Sequence, residues 1–260
     1  MDYLELNKTF RADNGFEPRN NRRHGEAWVG GIKRFDDSKI LENANGRLTA
    51  ARVWNLDGVR KDEWIVASLE VKFRAAQTSI HSEYMRSNEL FNEIEFKDIW
   101  DAHTCISTHP LASLEFGGNI NYGHRIARRD NTMGKELGYG VWTEIQPIDK
   151  LYLYGSLGYS QSDDLYDDTR LFDQKVFRSR VTFQFSREFS ARLISQYNSR
   201  YECWDFDPLL VYRLNSFSVF YLGSSHLYEN MSFERDGHDA EEWRLANRQF
   251  FLKFQYLFQV

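Results

Sequence analysis

The sequence predicts an all-β protein, built as an antiparallel up-and-down β-barrel that spans a membrane. Apolar and polar residues alternate with a period of two along much of the chain, which is typical of strands. Short and long connections alternate between these strands, and the chain ends on a strand rich in aromatic residues. The mean hydropathy of −0.61 leaves no segment near the roughly 18 apolar residues that a membrane-spanning helix needs.

Composition narrows the class of protein further. The 260 residues include 33 Lys and Arg against 38 Asp and Glu, which gives a formal net charge of −5. This balance argues against a dedicated nucleic-acid binder, because such proteins are basic. Cys105 and Cys203 form no Cys-x-x-Cys pair, so neither a zinc site nor a redox motif is predicted.

Alternation is clearest in three segments, namely 65–73, 177–185 and 250–260. In each of them every second residue is mostly apolar, and in the last segment nearly all of these residues are aromatic or leucine. Counting back from the C-terminus predicts about 14 strands, near residues 2–10, 26–35, 46–56, 62–74, 77–87, 97–107, 113–127, 135–146, 150–160, 176–186, 189–198, 206–213, 215–224 and 247–260.

The connections fall into two groups. Short joins are predicted at 146–150, 186–190 and 213–216, and long polar joins at 161–175, 199–206 and 224–247. Short turns at one end of the strands and long loops at the other are typical of transmembrane barrels. A soluble sandwich has the same alternation within strands, but its connections need not sort by length.

Charged residues at mid-strand and aromatic residues near strand ends also favour the membrane barrel. A water-filled lumen tolerates the charges, and aromatic side chains form girdles at the two membrane interfaces. A closed barrel also leaves no exposed strand edges. The aromatic residues near predicted strand ends are Trp54, Trp64, Trp100, Trp142, Tyr159, Phe177, Tyr197, Phe217 and Phe258.

The last strand resembles the C-terminal insertion signal of bacterial outer-membrane barrels. That signal alternates apolar residues and finishes on an aromatic residue. The residues that match it here are Phe250, Leu252, Phe254, Tyr256 and Phe258. The chain departs slightly from the signal, because Val260 follows the last aromatic residue. The resemblance implies recognition by the barrel-assembly machinery.

Three segments more specifically resemble the barrel region of the DUF5916 family of Bacteroidetes-type outer-membrane proteins. They are 10–19 with Arg22 and Arg23 after it, 191–199 and 248–258. The first, Phe-Arg-Ala-Asp-Asn-Gly-Phe-Glu-Pro-Arg, is similar to the Phe-x-x-x-x-Gly-Phe-x-Pro-Arg stretch of the family. Family members carry an export signal, a domain similar to a family 9 carbohydrate-binding module and further strands before this region.

Residues 1–6 have neither the basic start nor the apolar segment of a secretory signal. The resemblance therefore implies the C-terminal portion of a longer protein or a truncated reading frame. We treat residues 1–260 as one barrel region located in the bacterial outer membrane. The resemblance implies no established activity and no cofactor.

Charges on the polar faces are the best-supported functional feature. They are expected to project into the lumen and to filter polar solutes, or alternatively to pair with one another and plug the barrel. These residues are Glu70, Lys72, Arg74, Arg178, Arg180 and Arg192. Tyr152 and Tyr154 lie opposite Leu151 and Leu153 in the alternation, and either contact a sugar in the lumen or simply pack there.

Signals for metal binding and catalysis are weaker. The acidic segments 163–173 and 234–242 are expected to be solvated loops rather than calcium sites, because they lack EF-hand spacing. A group of histidines has no metal-ligand spacing. Ser79 and His81 share a strand face, which is little evidence for an esterase because period two aligns every such pair. The candidate metal ligands in this group are His103, His109 and His124, together with Asp101.

The sequence thus predicts an outer-membrane barrel that serves as a pore or docking site for polar solutes such as glycans. The partners expected are outer-membrane lipid, lipopolysaccharide and the barrel-assembly machinery. The sequence predicts no catalytic residue, no bound metal and no nucleic-acid partner. Two alternatives stay open, a membrane-embedded hydrolase and a soluble all-β binding module.

Overall fold

The computed structural model contains fourteen β-strands in the residues that it describes, 1–10, 20–215, 217–235 and 238–258, with the side chains of 232–241 left aside. The predicted all-β class and the predicted number of strands are confirmed. The strands are β1 Asp2–Leu6, β2 Arg22–Arg34, β3 Leu41–Trp54, β4 Arg60–Phe73, β5 Ser79–Phe91, β6 Ile94–Leu111, β7 Leu114–Ala127, β8 Thr132–Ile148, β9 Leu151–Asp164, β10 Arg170–Gln184, β11 Phe189–Asn198, β12 Cys203–Asn215, β13 Ser218–Arg235 and β14 His238–Tyr256.

The strands form one antiparallel sheet in which each strand neighbours the next one along the chain. This is the predicted up-and-down order, with β1 and β14 as the two edges. In the described part of the chain no pairing joins these two edges. The one helical element described is a single 3-10 turn at Ala75–Gln77. No helix in the described ranges combines the length and the apolar character that crossing a membrane requires.

The long polar connections predicted at 161–175, 199–206 and 224–247 are wrong, because the strands continue into them. β9 extends to Asp164 and β10 begins at Arg170, so five residues connect them. β13 and β14 pair as far as Arg235 and His238. A strand ladder is held by backbone hydrogen bonds and needs no apolar side chains, so it persists where alternation has ended.

Contacts divide the chain into two compact units. β6 to β10 contribute residues to both, so the units are not consecutive segments. The first unit comprises Met1–Thr108, Asn119–Gly138 and Gln161–Leu171, and the second comprises His109–Gly118, Tyr139–Ser160 and Phe172–Val260.

In the first unit, the register separates an apolar face from a polar one. Leu48 lies opposite Ala67, which in turn lies opposite Tyr84, and the three share one face. Ile65 and Leu69 lie on the same face and are 56% and 50% exposed. The alternating residues of β4 on the other face are half-buried. The predicted apolar face is therefore real, but other protein atoms do not cover it.

The second unit repeats this arrangement. Leu210 of β12 lies opposite Leu222 of β13, and Leu222 lies opposite Leu252 of β14. These three side chains are 41%, 52% and 74% exposed. They form the middle of an apolar face that runs across β10 to β14.

Buried apolar residues are few in the described structure. One small cluster of Phe96, Ile99 and Met133 lies in the first unit. Only six hydrophobic residues are buried among those described, whereas more than forty large ones are exposed. Water-soluble proteins of this size rarely expose a continuous apolar surface beyond a few hundred Å². Within the described residues, most large apolar side chains of each unit are therefore left exposed.

Aromatic rings border the apolar face of the second unit at both ends. The first aromatic belt consists of Phe177, Tyr197, Trp204, Phe206 and Tyr228, and the second aromatic belt of Phe185, Phe189, Phe220, Phe254 and Tyr256. On β11, Tyr197 and Phe189 are eight residues apart, a separation of about 26 Å along an extended strand. Trp64 departs from the predicted girdle, because it lies on the same face of β4 as Glu70 and contacts His24.

Candidate functional site

Two of the three charges predicted on β4 lie on the polar face of the first unit. Glu70 Oε1 and Lys72 Nζ are 3.5 Å apart, so these neighbours form an ion pair. Arg74 follows the end of β4, where its Nε donates to the carbonyl of Ser38 and its Nη2 to that of Phe35. Arg74 therefore joins two neighbouring turns and lies beyond the polar row of the strand.

The other three predicted charges share one face of the second unit. Arg178 and Arg180 alternate along β10, and Arg192 of β11 lies opposite Thr182, which is in the same alternating set. Phe177 and Val181 point to the opposite, apolar face and are both 39% exposed. Period two was sufficient to predict this grouping, since it requires no knowledge of the partner strand.

Arg180 is held by both of the tyrosines that the sequence singled out. Its Nη2 donates to the Tyr152 hydroxyl at 2.7 Å. Its guanidinium carbon lies 4.8 Å from the centre of the Tyr152 ring and 5.6 Å from that of Tyr154. We call these three residues the arginine–tyrosine cluster. A guanidinium this close to two aromatic faces is attracted by both and has little freedom to rotate.

Glu144 completes this arrangement and was missed by the sequence-based prediction. The Glu144 carboxylate lies close enough to the Tyr152 hydroxyl to act on it electrostatically. Since the hydroxyl accepts from Arg180, its own proton is free to point toward Glu144. Glu144 lies on β8 among residues of mixed polarity, so no motif indicated that its carboxylate would reach β9.

Arginines of the first unit are in a different environment. Arg128 forms an ion pair with Glu89 at 2.7 Å, and Arg125 lies 3.5 Å from both Asp101 and Glu136. Within the described residues, no carboxylate comes within 4.0 Å of the guanidinium groups of Arg178, Arg180 and Arg192. The polar face of the second unit therefore carries a group of cations without ion-pair partners in this part of the chain.

On the C-terminal side of Arg180, this face carries the carboxylates of Asp205 and Asp207 on β12. In register, Ile194 of β11 lies between Arg180 and Asp207, so the two charged residues are two strands apart. That separation is about 10 Å, comparable to the screening length of physiological salt. Asp207 instead accepts a hydrogen bond from Ser225 at 2.6 Å. Neither acid forms an ion pair with these arginines in the described part of the chain.

A second polar network, also missed from the sequence, surrounds Glu63 in the first unit beside a cavity of about 630 Å³. Glu63 accepts from Arg52 at 2.7 Å, from Arg60 at 2.9 Å and from Asn88 at 2.9 Å. Arg52, Glu63 and Asn88 lie directly opposite one another on three strands. Both Glu63 carboxylate oxygens are bonded, so this network stabilises the sheet.

Ser79 and His81 do not form a catalytic pair. Ser79 Oγ is bonded to Ser107 Oγ at 2.8 Å, and His81 Nε2 lies 3.3 Å from Glu83. Glu70 lies opposite His81, so this pair is on the polar face of the first unit. An esterase for membrane lipid needs its nucleophile on the apolar face, where the substrate is.

A serine and a histidine do meet on the apolar face of the second unit, but there the histidine donates its proton to the serine. Ser224 Oγ lies 2.9 Å from His226 Nε2, and Arg248 Nε lies 3.2 Å from His226 Nδ1. Arginine only donates, so Nδ1 of a neutral His226 accepts and the ring proton is on Nε2. That proton points at Ser224, whereas a general base needs a free lone pair there. The trio is therefore a satisfied polar network.

The acidic turn between β9 and β10 binds its own backbone and side chains. Asp163 pairs with Arg170, and Asp164 accepts from the Thr132 hydroxyl at 2.7 Å and from the Tyr166 amide at 2.8 Å. Asp167 accepts from the Thr169 amide and hydroxyl. Nowhere in the described ranges do three potential ligand residues form a metal-binding group.

The predicted histidine group is dispersed. His109 Nε2 lies 2.7 Å from the Glu115 carboxylate in the second unit, whereas His124 packs on Trp100 in the first. His103 lies opposite Glu83 on the polar face of the first unit. The second acidic segment, 234–242, lies almost wholly outside the described side chains.

The predicted insertion signal lies on one face of β14 for most of its length. Phe250, Leu252, Phe254 and Tyr256 alternate there and are 49% to 74% exposed. Phe258 follows the strand, with its ring 4.6 Å from that of Tyr256. Four of the five residues therefore extend the apolar face to the last strand.

Residues 11–19 carry most of the segment that resembles the DUF5916 family, and they lie outside the described residues. Comparison with known proteins yields no relative: no family model matches the sequence, and no curated protein matches it either.

Proposed function

We propose that the chain belongs to a bacterial outer-membrane β-barrel of the DUF5916 type, which passes or docks polar solutes such as glycans. The observation that carries this proposal is the exposed apolar face bordered by two aromatic belts. Burial of apolar surface is worth about 25 cal/mol per Å², so leaving this face in water is costly. Lipid removes that cost, and the aromatic belts suit the two membrane interfaces.

The spacing of the belts supports this environment. Eight residues separate them on β11, or about 26 Å along the strand, and a strand tilt of about 40° reduces the height somewhat. The apolar band of known outer-membrane barrels is about 25 Å tall. β13 and β14 extend 18 and 19 residues, well beyond this band on the side of the first aromatic belt.

Closure of the sheet is the second part of the proposal. In hydrocarbon, each unpaired backbone N–H or C=O group costs several kcal/mol, so a membrane sheet cannot keep open edges. Phe250, Phe251 and Leu252 of β14 are 70%, 50% and 74% exposed, although they alternate between its two faces. We propose that this edge pairs with β1 or with further strands, and that β14 is also what the barrel-assembly machinery recognises.

The soluble alternative has less support. A sandwich requires a second sheet whose apolar side chains cover the first. All strands described belong to one sheet, and the middle of its apolar face, at Leu210, Leu222 and Leu252, is exposed. Outer-membrane lipid and lipopolysaccharide are the partners that suit this face.

Passage of solutes is supported by the unpaired arginines of the polar face. Rings of charge in a pore select ions by sign. We therefore expect the protein to conduct in a planar lipid bilayer, with a reversal potential in a salt gradient that indicates a preference for anions.

Replacing Arg178 and Arg180 together with Ala should shift that reversal potential toward cation preference. Arg74→Ala is the matched control, because Arg74 bonds to turn carbonyls and should leave the selectivity unchanged. A fully inserted protein that conducts no ions would contradict passage. Equal shifts in the two variants would contradict the assignment of the arginines.

A further inference from the structure

The arginine–tyrosine cluster has the geometry of a binding site rather than of an ion pair. Arg180 donates to the Tyr152 hydroxyl and lies over the Tyr152 and Tyr154 rings. All three side chains are half-buried, so the guanidinium is oriented and still reachable. Its orientation comes from groups without net charge, which leaves its positive charge available to a ligand.

Remaining donors on Arg180 set the kind of ligand. A guanidinium has five N–H groups, and one of them is used by Tyr152. No carboxylate among the described side chains lies within 4.0 Å of it. The planar fork of an arginine matches the two oxygens of a carboxylate, and such pairs are shorter and stronger than neutral hydrogen bonds.

Neighbouring charges act in both directions. Arg178 and Arg192 lie on the same face and attract anions toward the cluster. Glu144 opposes them, since its carboxylate acts electrostatically on Tyr152. No described carboxylate forms an ion pair with Arg180 itself. The acids on β12 lie two strands away from Arg180.

We propose that the arginine–tyrosine cluster binds the carboxylate of a polar solute, and that uronic acids are the solute class that suits it best. A uronic acid carries a carboxylate for the guanidinium and an apolar C–H face that can pack against an aromatic ring. This inference rests on the proposed function, because it requires the polar face to be open to solutes. Because the tyrosines already hold the Arg180 side chain in place, binding costs less conformational entropy, which raises the affinity of the site.

Binding is tested separately from passage. The full chain, folded in detergent micelles, is titrated with glucuronate by isothermal calorimetry, with glucose as the neutral probe. We expect saturable binding of glucuronate and none of glucose. Arg180→Gln should weaken glucuronate binding by about tenfold or more, the usual effect of losing a charged hydrogen bond. Retained heat-modifiable migration on a gel shows that the variant is folded.

Arg192→Gln is the matched control, since it removes the same charge from the same face without touching the cluster. It should weaken binding by less than about threefold, because only a long-range attraction is lost. Tyr152→Phe should weaken binding by an intermediate factor, because the ring remains and the orienting hydroxyl does not.

Equal losses in the Arg180 and Arg192 variants would overturn the inference and indicate general attraction of anions. Absence of glucuronate binding to the folded protein would overturn it as well. A protein that binds glucuronate but passes no ions would uphold the inference and contradict the pore. A conducting protein without binding would do the reverse.

Discussion

Gly123 on β7 lies so close to a neighbouring strand that only glycine fits there. An added Cβ would lie 2.6 Å from the Cα of Asp101 and even closer to the carbonyl oxygen of Trp100. Because both contacts are to backbone, we expect Gly123→Ala to lower the free energy of unfolding by about 1–3 kcal/mol. Denaturant titration of the lipid-reconstituted protein measures this.

Gly158→Ala on β9 provides the control, since nothing lies within 4 Å of the Cβ it adds. It should be neutral or slightly stabilising, because alanine has fewer unfolded conformations than glycine. Equal destabilisation by the two substitutions would contradict the close approach at Gly123.

Asp164 makes the β9–β10 turn sensitive to acid. Hydrogen bonds, first from the Thr132 hydroxyl and then from the Tyr166 amide, lower the pKa of Asp164 below its ordinary value of 3.8. A folded pKa below the unfolded one adds stability that is fully present above about pH 4. That stability is lost as the pH falls through the lowered pKa.

We therefore expect the protection of the Tyr166 amide against hydrogen exchange, corrected for intrinsic rates, to hold down to about pH 4 and to fall below it. In Asp164→Ala the protection should be low at every pH. Protection that stays constant to pH 2 in the wild type would contradict the role of this carboxylate.

Sequence alone could place functional side chains on faces but not in contact. Period two put Arg178, Arg180 and Arg192 on one face, and the structure agrees. The contact between Arg180 and Tyr152 depends on the register of β9 against β10, which alternation does not define. Glu144 was missed for the same reason.

Strands were predictable in number and order because the apolar face imposes alternation on each of them. Their ends were not predictable where the strands leave the apolar band. Beyond the first aromatic belt most residues of β13 and β14 are polar, so the sequence there resembles a loop while the ladder continues. Length and turn signals favoured loops at 161–175 and 224–247, and backbone pairing overrode them.

A charged substitution at Leu222 distinguishes a strand face in water from one in lipid. It is 52% exposed in the middle of the apolar face, so in water Leu222→Arg should change stability by less than about 0.5 kcal/mol. In a bilayer the same change should cost more, up to the roughly 2–4 kcal/mol of a charge at the midplane of a barrel, because Leu222 lies one alternating position inside the second aromatic belt. We expect the larger cost, measured by denaturant titration in lipid.

Gln249→Arg is the matched control on the neighbouring strand. Gln249 lies opposite Ser225, on the polar face, and is exposed. The added charge there should cost less than about 0.5 kcal/mol. Equal costs at the two positions would contradict a difference between the faces.

At the scale of the molecule, the sequence predicted one up-and-down sheet, and the strand order confirms it. Closure and insertion follow from neither the alternation nor the order, because a sheet with the same faces is equally consistent with a sandwich layer. The exposed face between two aromatic belts is what favours lipid. Membrane insertion is thus the central claim.

Nitroxide scanning of β12 tests this claim most directly. Single cysteines at positions 206–212, introduced after replacing Cys105 and Cys203 with Ser, are spin-labelled in reconstituted vesicles. We expect accessibility to oxygen, which concentrates in lipid, to peak at Phe206, Pro208 and Leu210, and accessibility to a water-soluble nickel complex to peak at the residues between them. The lipid-facing sheet would be contradicted if Phe206, Pro208 and Leu210 were shielded from both reagents, or were more accessible to nickel than to oxygen.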